Sequence, residues 1–177
     1  MLDAESALLE YAVDIAERKI YLTGEIGVAL HLRMALGLRL ISRSNSEKLP
    51  ITIVINSYGG EVCQALAIIE EMELAKRNVR IDTYAIGACQ SAGTLILQAG
   101  QTRKASKDCS LMVHFGQETN ESGNEAKHNS KLTKRMKDIY QERTGKGAKT
   151  INKWLDADTY FTAEEALKAK LIDEVIT

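Results

Sequence analysis

Apolar residues recur along this chain with two periods, and the switches between them mark the elements. Lys19-Ile20-Tyr21-Leu22-Thr23-Gly24 is a short β-prone run closed by glycine, and from Val28 to Ile41 apolar residues return at helical spacing with arginines between them. This predicts strand, turn and helix. Ser44 to Pro50 is polar and ends in the only proline. The run that follows, Ile51-Thr52-Ile53-Val54-Ile55-Asn56, is almost continuously β-branched, as in a parallel-sheet strand buried on both faces. Ser57-Tyr58-Gly59-Gly60 predicts a sharp turn, and Val62 to Arg77 a helix whose charges gather in its last turns.

The unit then repeats. Val79 to Ile86 predicts a strand, Gly87-Ala88-Cys89-Gln90 a turn, and Ser91 to Ala99 a helix rich in small residues. Repeated βα units predict an α/β fold with right-handed crossovers. Further on, the pattern predicts a strand over Ser110 to His114, a polar stretch from Gln117 to Ser130 and a charged helix from Asn129 to Arg143. Residues Gly116 to Asn129 are expected to be mobile or at an interface. The chain closes with a short helix at Thr150 to Asp156, an extended segment at Asp158 to Phe161, a helix at Ala163 to Lys170 and a strand at Leu171 to Ile176. No internal repeat, low-complexity tract or second domain is visible, and 177 residues suit one domain.

Composition narrows the function. Lys plus Arg number 23 against 24 for Asp plus Glu, a net charge of -1. No broad field favours nucleic acid or an anionic membrane. Three cysteines, Cys63, Cys89 and Cys109, sit in apolar sequence surroundings without a CxxC pair, which favours a reduced, cytoplasmic setting. The acidic first residues do not read as a signal peptide, and no run approaches the ~18 apolar residues of a membrane span. Neither the cysteines nor the three histidines show the close pairing of a metal site, and no cofactor is expected.

Candidate chemistry begins at Gly87-Ala88-Cys89-Gln90-Ser91-Ala92-Gly93. A serine at a strand-to-helix junction among small residues can project its hydroxyl where backbone amides and the helix dipole favour negative charge. The same serine also suits a plain helix cap, and the G-x-S-x-G elbow pattern is incomplete. Of the histidines, His31 falls within an early helix and His128 in a polar stretch; His114 follows Leu111-Met112-Val113 at a strand end, where α/β folds gather functional groups. Taken singly, it reads more readily as a hydrogen-bonded structural residue, and it is the combination with Ser91 that makes it a candidate base. Asp156 and Asp158 both precede a Tyr-Phe pair and are equivalent candidates for the acid that orients an imidazole. Gly59-Gly60 offers backbone N–H groups free of side chains, or an ordinary turn.

From about Tyr11 onward these segments together resemble the Clp protease proteolytic-subunit (ClpP) family. YAVDIAERKIYLTGEI resembles the family's first strand, VINSYGGEV its I-N-S-P-G-G segment, YAIGACQSAG its nucleophile segment, and SLMVHF its histidine strand. DTYFTAEEALKAKLID resembles the family's ending, and aligning Glu165-Ala166 and Leu171-Ile172-Asp173 places the acid at Asp158. The resemblance implies a ClpP/crotonase-like α/β fold of repeated β-β-α spiral units over residues 1–177, with a protruding helical handle at about 116–145. It implies a serine endopeptidase that hydrolyses peptide bonds without ATP, with Ser91 as nucleophile, His114 as base, Asp158 as acid, and Gly60 with the amide of Ala92 as oxyanion hole. Its implied partners are polypeptide substrates, further copies in a heptameric or tetradecameric ring, and an AAA+ unfoldase.

The sequence departs from the family pattern at four places. Tyr58 stands where the family has proline, Phe115-Gly116-Gln117-Glu118 replaces a Q-P-x-G-G stretch, only about ten residues precede the resemblance, and Lys170 replaces the glycine before the terminal L-I-D. These departures also suit a phage-type protease acting on capsid or scaffold proteins, or a ring-forming scaffold with weak activity. A crotonase-like acyl-CoA enzyme of the same fold is a further alternative.

Overall fold

Helix α1 (Ala4–Tyr11) leads into a two-residue strand, β1 (Val13–Asp14), which pairs antiparallel with β2 (Lys19–Thr23). There follow α2 (Val28–Arg43), β3 (Ile51–Ser57), α3 (Val62–Ala75), β4 (Ile81–Gln90), α4 (Ala92–Gln98), β5 (Arg103–Ser106), β6 (Ser110–Val113), α5 (Asn124–Thr144), α6 (Ala148–Asp156), β7 (Thr159–Phe161), α7 (Ala163–Ala169) and β8 (Glu174–Ile176). This is a computed structural model, and it describes residues 4–43, 49–115 and 123–177. Among them, the strands form one mixed 8-stranded sheet in the order β1-β2-β3-β4-β5-β8, with β6 pairing β4 and β7 pairing β6.

The β-branched run after Pro50 is central, parallel to both β2 and β4. Ile51, Ile53, Val54 and Ile55 are all buried, as its unbroken apolar pattern requires. α2 turns Leu30, Met34, Leu38 and Ile41 inward and α3 turns Ala65, Ile68, Ile69 and Met72. Each large apolar side chain so buried stabilises the fold by roughly 1.5–3 kcal/mol. At Gly37 a Cβ would lie 2.9 Å from Ile20 Cδ1, so glycine lets α2 settle closely on β2.

Several expectations are corrected. Gly87 to Gln90 is not a turn: β4 runs on to Gln90 but bends, because Gly87 takes φ +58 and the register against β3 shifts between Ile55 and Ser57. Before the bend Thr83 to Ala85 pair with β5; after it Ala88 to Gln90 pair with β6. Asn56 Oδ1 accepts the Ala88 N–H at 3.1 Å, satisfying backbone that the bulge removes from the ladder. The sequence pattern does not predict α1, β1 or β5: β1 has only two residues, and β5 reads Arg-Lys-Ala-Ser, a polar string in which Arg103 and Ala105 nonetheless face inward. α5 starts at Asn124 rather than Asn129, because its polar first turns carry no apolar period. The closing strand is only Glu174–Ile176; Leu171 and Ile172 are buried in the connection before it. The expectation for residues 116–122 lies outside the described residues. Cys89 and Cys109 are buried, whereas Cys63 is exposed despite its apolar neighbours, on the outer side of α3.

Candidate active site

The bend in β4 sets up everything that follows. Beyond it, the strand ends at Gln90, Ser91 takes φ 52 and ψ -124, and α4 begins at Ala92. This backbone region costs a residue with a side chain about 1–3 kcal/mol and persists only where surrounding contacts enforce it. Here the Ser91 N–H donates to Met112 O at 2.9 Å and the Ser91 carbonyl accepts the Thr94 N–H at 2.9 Å. Although Ser91 occupies the N-cap position, its hydroxyl makes no capping hydrogen bond. It points instead at His114: Oγ lies 2.8 Å from Nε2.

His114 directly follows β6, whose parallel pairing with the end of β4 sets Met112 beside Gln90. On its other side β6 pairs antiparallel with β7, Val113 opposite Thr159. Continuing that register by one residue puts Asp158 opposite His114. The Asp158 carboxylate accordingly lies 3.1 Å from His114 Nδ1, closing a chain of two hydrogen bonds from Ser91. Asp156, the last residue of α6, sits before the turn that leads into β7. A carboxylate only accepts, so Nδ1 carries the ring proton and Nε2 is left free to accept from Ser91. The Asp158 side chain is 69% exposed and the His114 side chain 23%. The backbone after His114 is tethered as well: Phe115 N–H donates to Leu155 O at 2.8 Å, and Lys137 Nζ sits 4.9 Å from the Phe115 ring centroid.

The glycine pair borders the serine. Gly59, at φ +114, lies so close that a Cβ there would be 2.6 Å from Ser91 Cβ. Gly60, at φ +145, forms a parallel bridge with Ile26, in which Ile26 N–H donates to Gly59 O and Glu61 N–H to Ile26 O, both at 2.8 Å. That bridge leaves the Gly60 N–H outside the ladder. Ala92 opens α4, so its N–H has no intrahelical acceptor either. The serine bonded to the imidazole thus stands against Gly59 and at the start of α4, with the N–H groups of Gly60 and Ala92 outside the ladder and the helix.

Sequence reasoning had not singled out Asn56 and Ser57. The Ser57 hydroxyl accepts the Gly59 N–H at 3.0 Å and so holds the glycine turn against Ser91. A strand followed by Asn-Ser-x-Gly-Gly was the available signal. His31 is elsewhere, its Nδ1 3.2 Å from Gln64 Oε1 between α2 and α3; the His128 side chain is not among those described. Cys89 lies two residues before Ser91, but burial pushes its thiol pKa well up and keeps it a neutral thiol. Among the described residues no group of three or more His, Cys, Asp or Glu side chains is placed to hold a metal.

A family model described as Clp protease matches residues 4–177. The chain belongs to the Clp protease family. The match takes in α1, which ends at the Tyr11 where the motif resemblance begins. The mixed α/β single domain agrees with that family, and membership makes the chain a peptidase of the Clp type, a hydrolase. Against the family pattern, Tyr58 leaves a side chain 78% exposed beside the glycine pair. No helix among the described residues is long and apolar enough to cross a membrane.

Proposed function

We propose that this Clp protease chain is a serine endopeptidase subunit that hydrolyses peptide bonds without ATP. Ser91 Oγ attacks the scissile carbonyl carbon as its proton passes to His114 Nε2. Asp158 holds the imidazole in the reactive tautomer and stabilises the imidazolium, while the N–H groups of Gly60 and Ala92 receive the oxyanion. The C–N bond then breaks, the imidazolium protonates the leaving amine, and an acyl group remains on Ser91. Water, deprotonated by His114, releases the acid and restores the serine.

The observation that carries this reading is the hydrogen-bonded chain at 2.8 and 3.1 Å from a serine held at positive φ. By the same reading the substrates are unfolded polypeptides, the chains assemble into a heptameric or tetradecameric ring with the 116–145 region as its handle, and an AAA+ unfoldase feeds the ring in the cytoplasm. Support for assembly comes from Val28, Leu32 and Leu36, which follow one another at four-residue intervals on α2 and stay 56%, 56% and 42% exposed.

The test is labelling with a fluorescent fluorophosphonate, read by mass spectrometry, alongside cleavage of labelled unfolded casein. Ser91 is expected to carry the label in the wild type, and Ser91→Ala and His114→Ala to lose both label and cleavage by several powers of ten. Folded wild-type protein that neither labels at Ser91 nor cleaves casein would sink the proposal.

A further inference from the structure

Ser91 is gripped from behind by a second hydrogen-bond chain. Its carbonyl oxygen accepts two bonds from Thr94, the backbone N–H at 2.9 Å and the hydroxyl at 2.7 Å. The Thr94 hydroxyl also lies 3.4 Å from Met112 O and 2.6 Å from the hydroxyl of Tyr140, in α5. Thr94 is fully buried and Tyr140 is 1% exposed, so water does not compete for these groups. Proton counting sets the direction. Carbonyl oxygens only accept and Thr94 has one hydroxyl proton, so Thr94 donates to a carbonyl and must accept from Tyr140. Burial raises the pKa of the Tyr140 hydroxyl far above its usual value, which keeps that donor protonated.

The carbonyl held this way and the Ala92 N–H belong to one planar peptide unit, so fixing one end fixes the other. Hydrogen bonds accepted by an amide oxygen also polarise the amide and strengthen its N–H as a donor. A threonine bonded to its own helix's first turn is common in helices. A buried tyrosine from another helix, completing the chain to the nucleophile's own carbonyl, is not accounted for by helix capping.

We infer that Thr94 and Tyr140 are positioning residues that orient and polarise the Ala92 N–H as an oxyanion donor. The inference rests on the proposed roles of Ser91 and Ala92. It ties α5 directly to the chemistry of the serine.

The experiment measures the rate and final extent of fluorophosphonate labelling at Ser91, whose phosphoryl oxygen enters the oxyanion site, and kcat and KM for labelled casein. Wild type, Thr94→Val, Thr94→Ser, Tyr140→Phe and Ser91→Ala are compared. Thr94→Val is expected to slow labelling and kcat about tenfold, less than the ~10²–10³-fold that follows loss of a direct donor. Tyr140→Phe is expected to slow both by a smaller factor, with KM unchanged in each case, and Thr94→Ser to restore the wild-type rate. Final labelling should be complete in every protein that keeps Ser91, because those molecules are folded and only their donor is weakened, while Ser91→Ala should take no label. Thr94→Val and Tyr140→Phe labelling at the wild-type rate, or slow labelling with an incomplete end point, would overturn the inference and leave the proposed peptidase standing. Absence of Ser91 labelling in the wild type would remove both.

Discussion

At Ser91 backbone strain and chemistry meet. A serine at φ 52 is costly, yet that conformation turns Oγ away from the helix it would otherwise cap and toward His114. Gly59 is bound to the same geometry, since its φ of +114 and its distance from Ser91 leave no room for a Cβ. Two aspartates lie near the end of α6, but only Asp158 occupies the ladder position opposite His114. Asp158→Asn is therefore expected to lower kcat by about 10²-fold or more, through the wrong tautomer, and Asp156→Asn to leave kcat near wild type. Steady-state cleavage of labelled casein by both variants checks this; equal losses would refute the assignment of the acid.

At the scale of elements, the end of α7 and the network beneath it set local stability. Lys170 caps α7 at φ 63, a conformation in which a residue with a Cβ is strained and glycine is not. Lys170→Gly is expected to stabilise the protein by about 1 kcal/mol, seen as a higher midpoint in thermal unfolding. Next to it Arg103, 4% exposed, bonds both oxygens of Asp173 at 2.6 and 2.9 Å and the carbonyl of Lys170 at 2.9 Å. The Arg103 hydrogen bonds hold the Asp173 carboxyl below its usual pKa. A depressed acid stabilises the fold above its unfolded pKa, about 3.9, and loses that contribution as pH falls through the lower folded value. Asp173→Asn should thus be less stable than wild type at neutral pH, by about 1–3 kcal/mol for the acceptors lost to Arg103. Urea unfolding of both proteins should show that gap narrowing below about pH 4; a gap constant with pH would exclude the linkage.

At the scale of the molecule, the sheet is organised around one bent strand. The first half of β4 pairs with β5 and its second half with β6, so the bend carries the chain from the main sheet to the layer in which His114 and Asp158 meet. The exposed stripe of Val28, Leu32 and Leu36 lies on α2, and in the proposed ring it is covered by a second copy. Leu32→Glu is expected to shift the sedimentation coefficient of the assembly toward that of a single chain while leaving the circular dichroism spectrum unchanged. An assembly unaffected by the charge would place the contact elsewhere.

The sequence by itself determined the elements with a strong local period: β2, α2, β3, α3, β6 and α7 are visible as alternations of apolar and polar residues, because each buries one face or both. It also narrowed the candidate chemistry, since a serine among small residues and a histidine ending an apolar run are rare enough in this chain to stand out. Tertiary structure decided what no local period encodes. Gly87 reads as a turn residue and becomes a bend only because Asn56, 32 residues from Ala88, takes over a ladder hydrogen bond. Arg103 is buried because Asp173, 70 residues away, pairs with it. The register of β6 on β7 joins His114 to Asp158 across 44 residues, and packing of α5 brings Tyr140 to Thr94 across 46. Such pairings depend on which segments become neighbours once the apolar faces are buried, and that is a property of the whole chain.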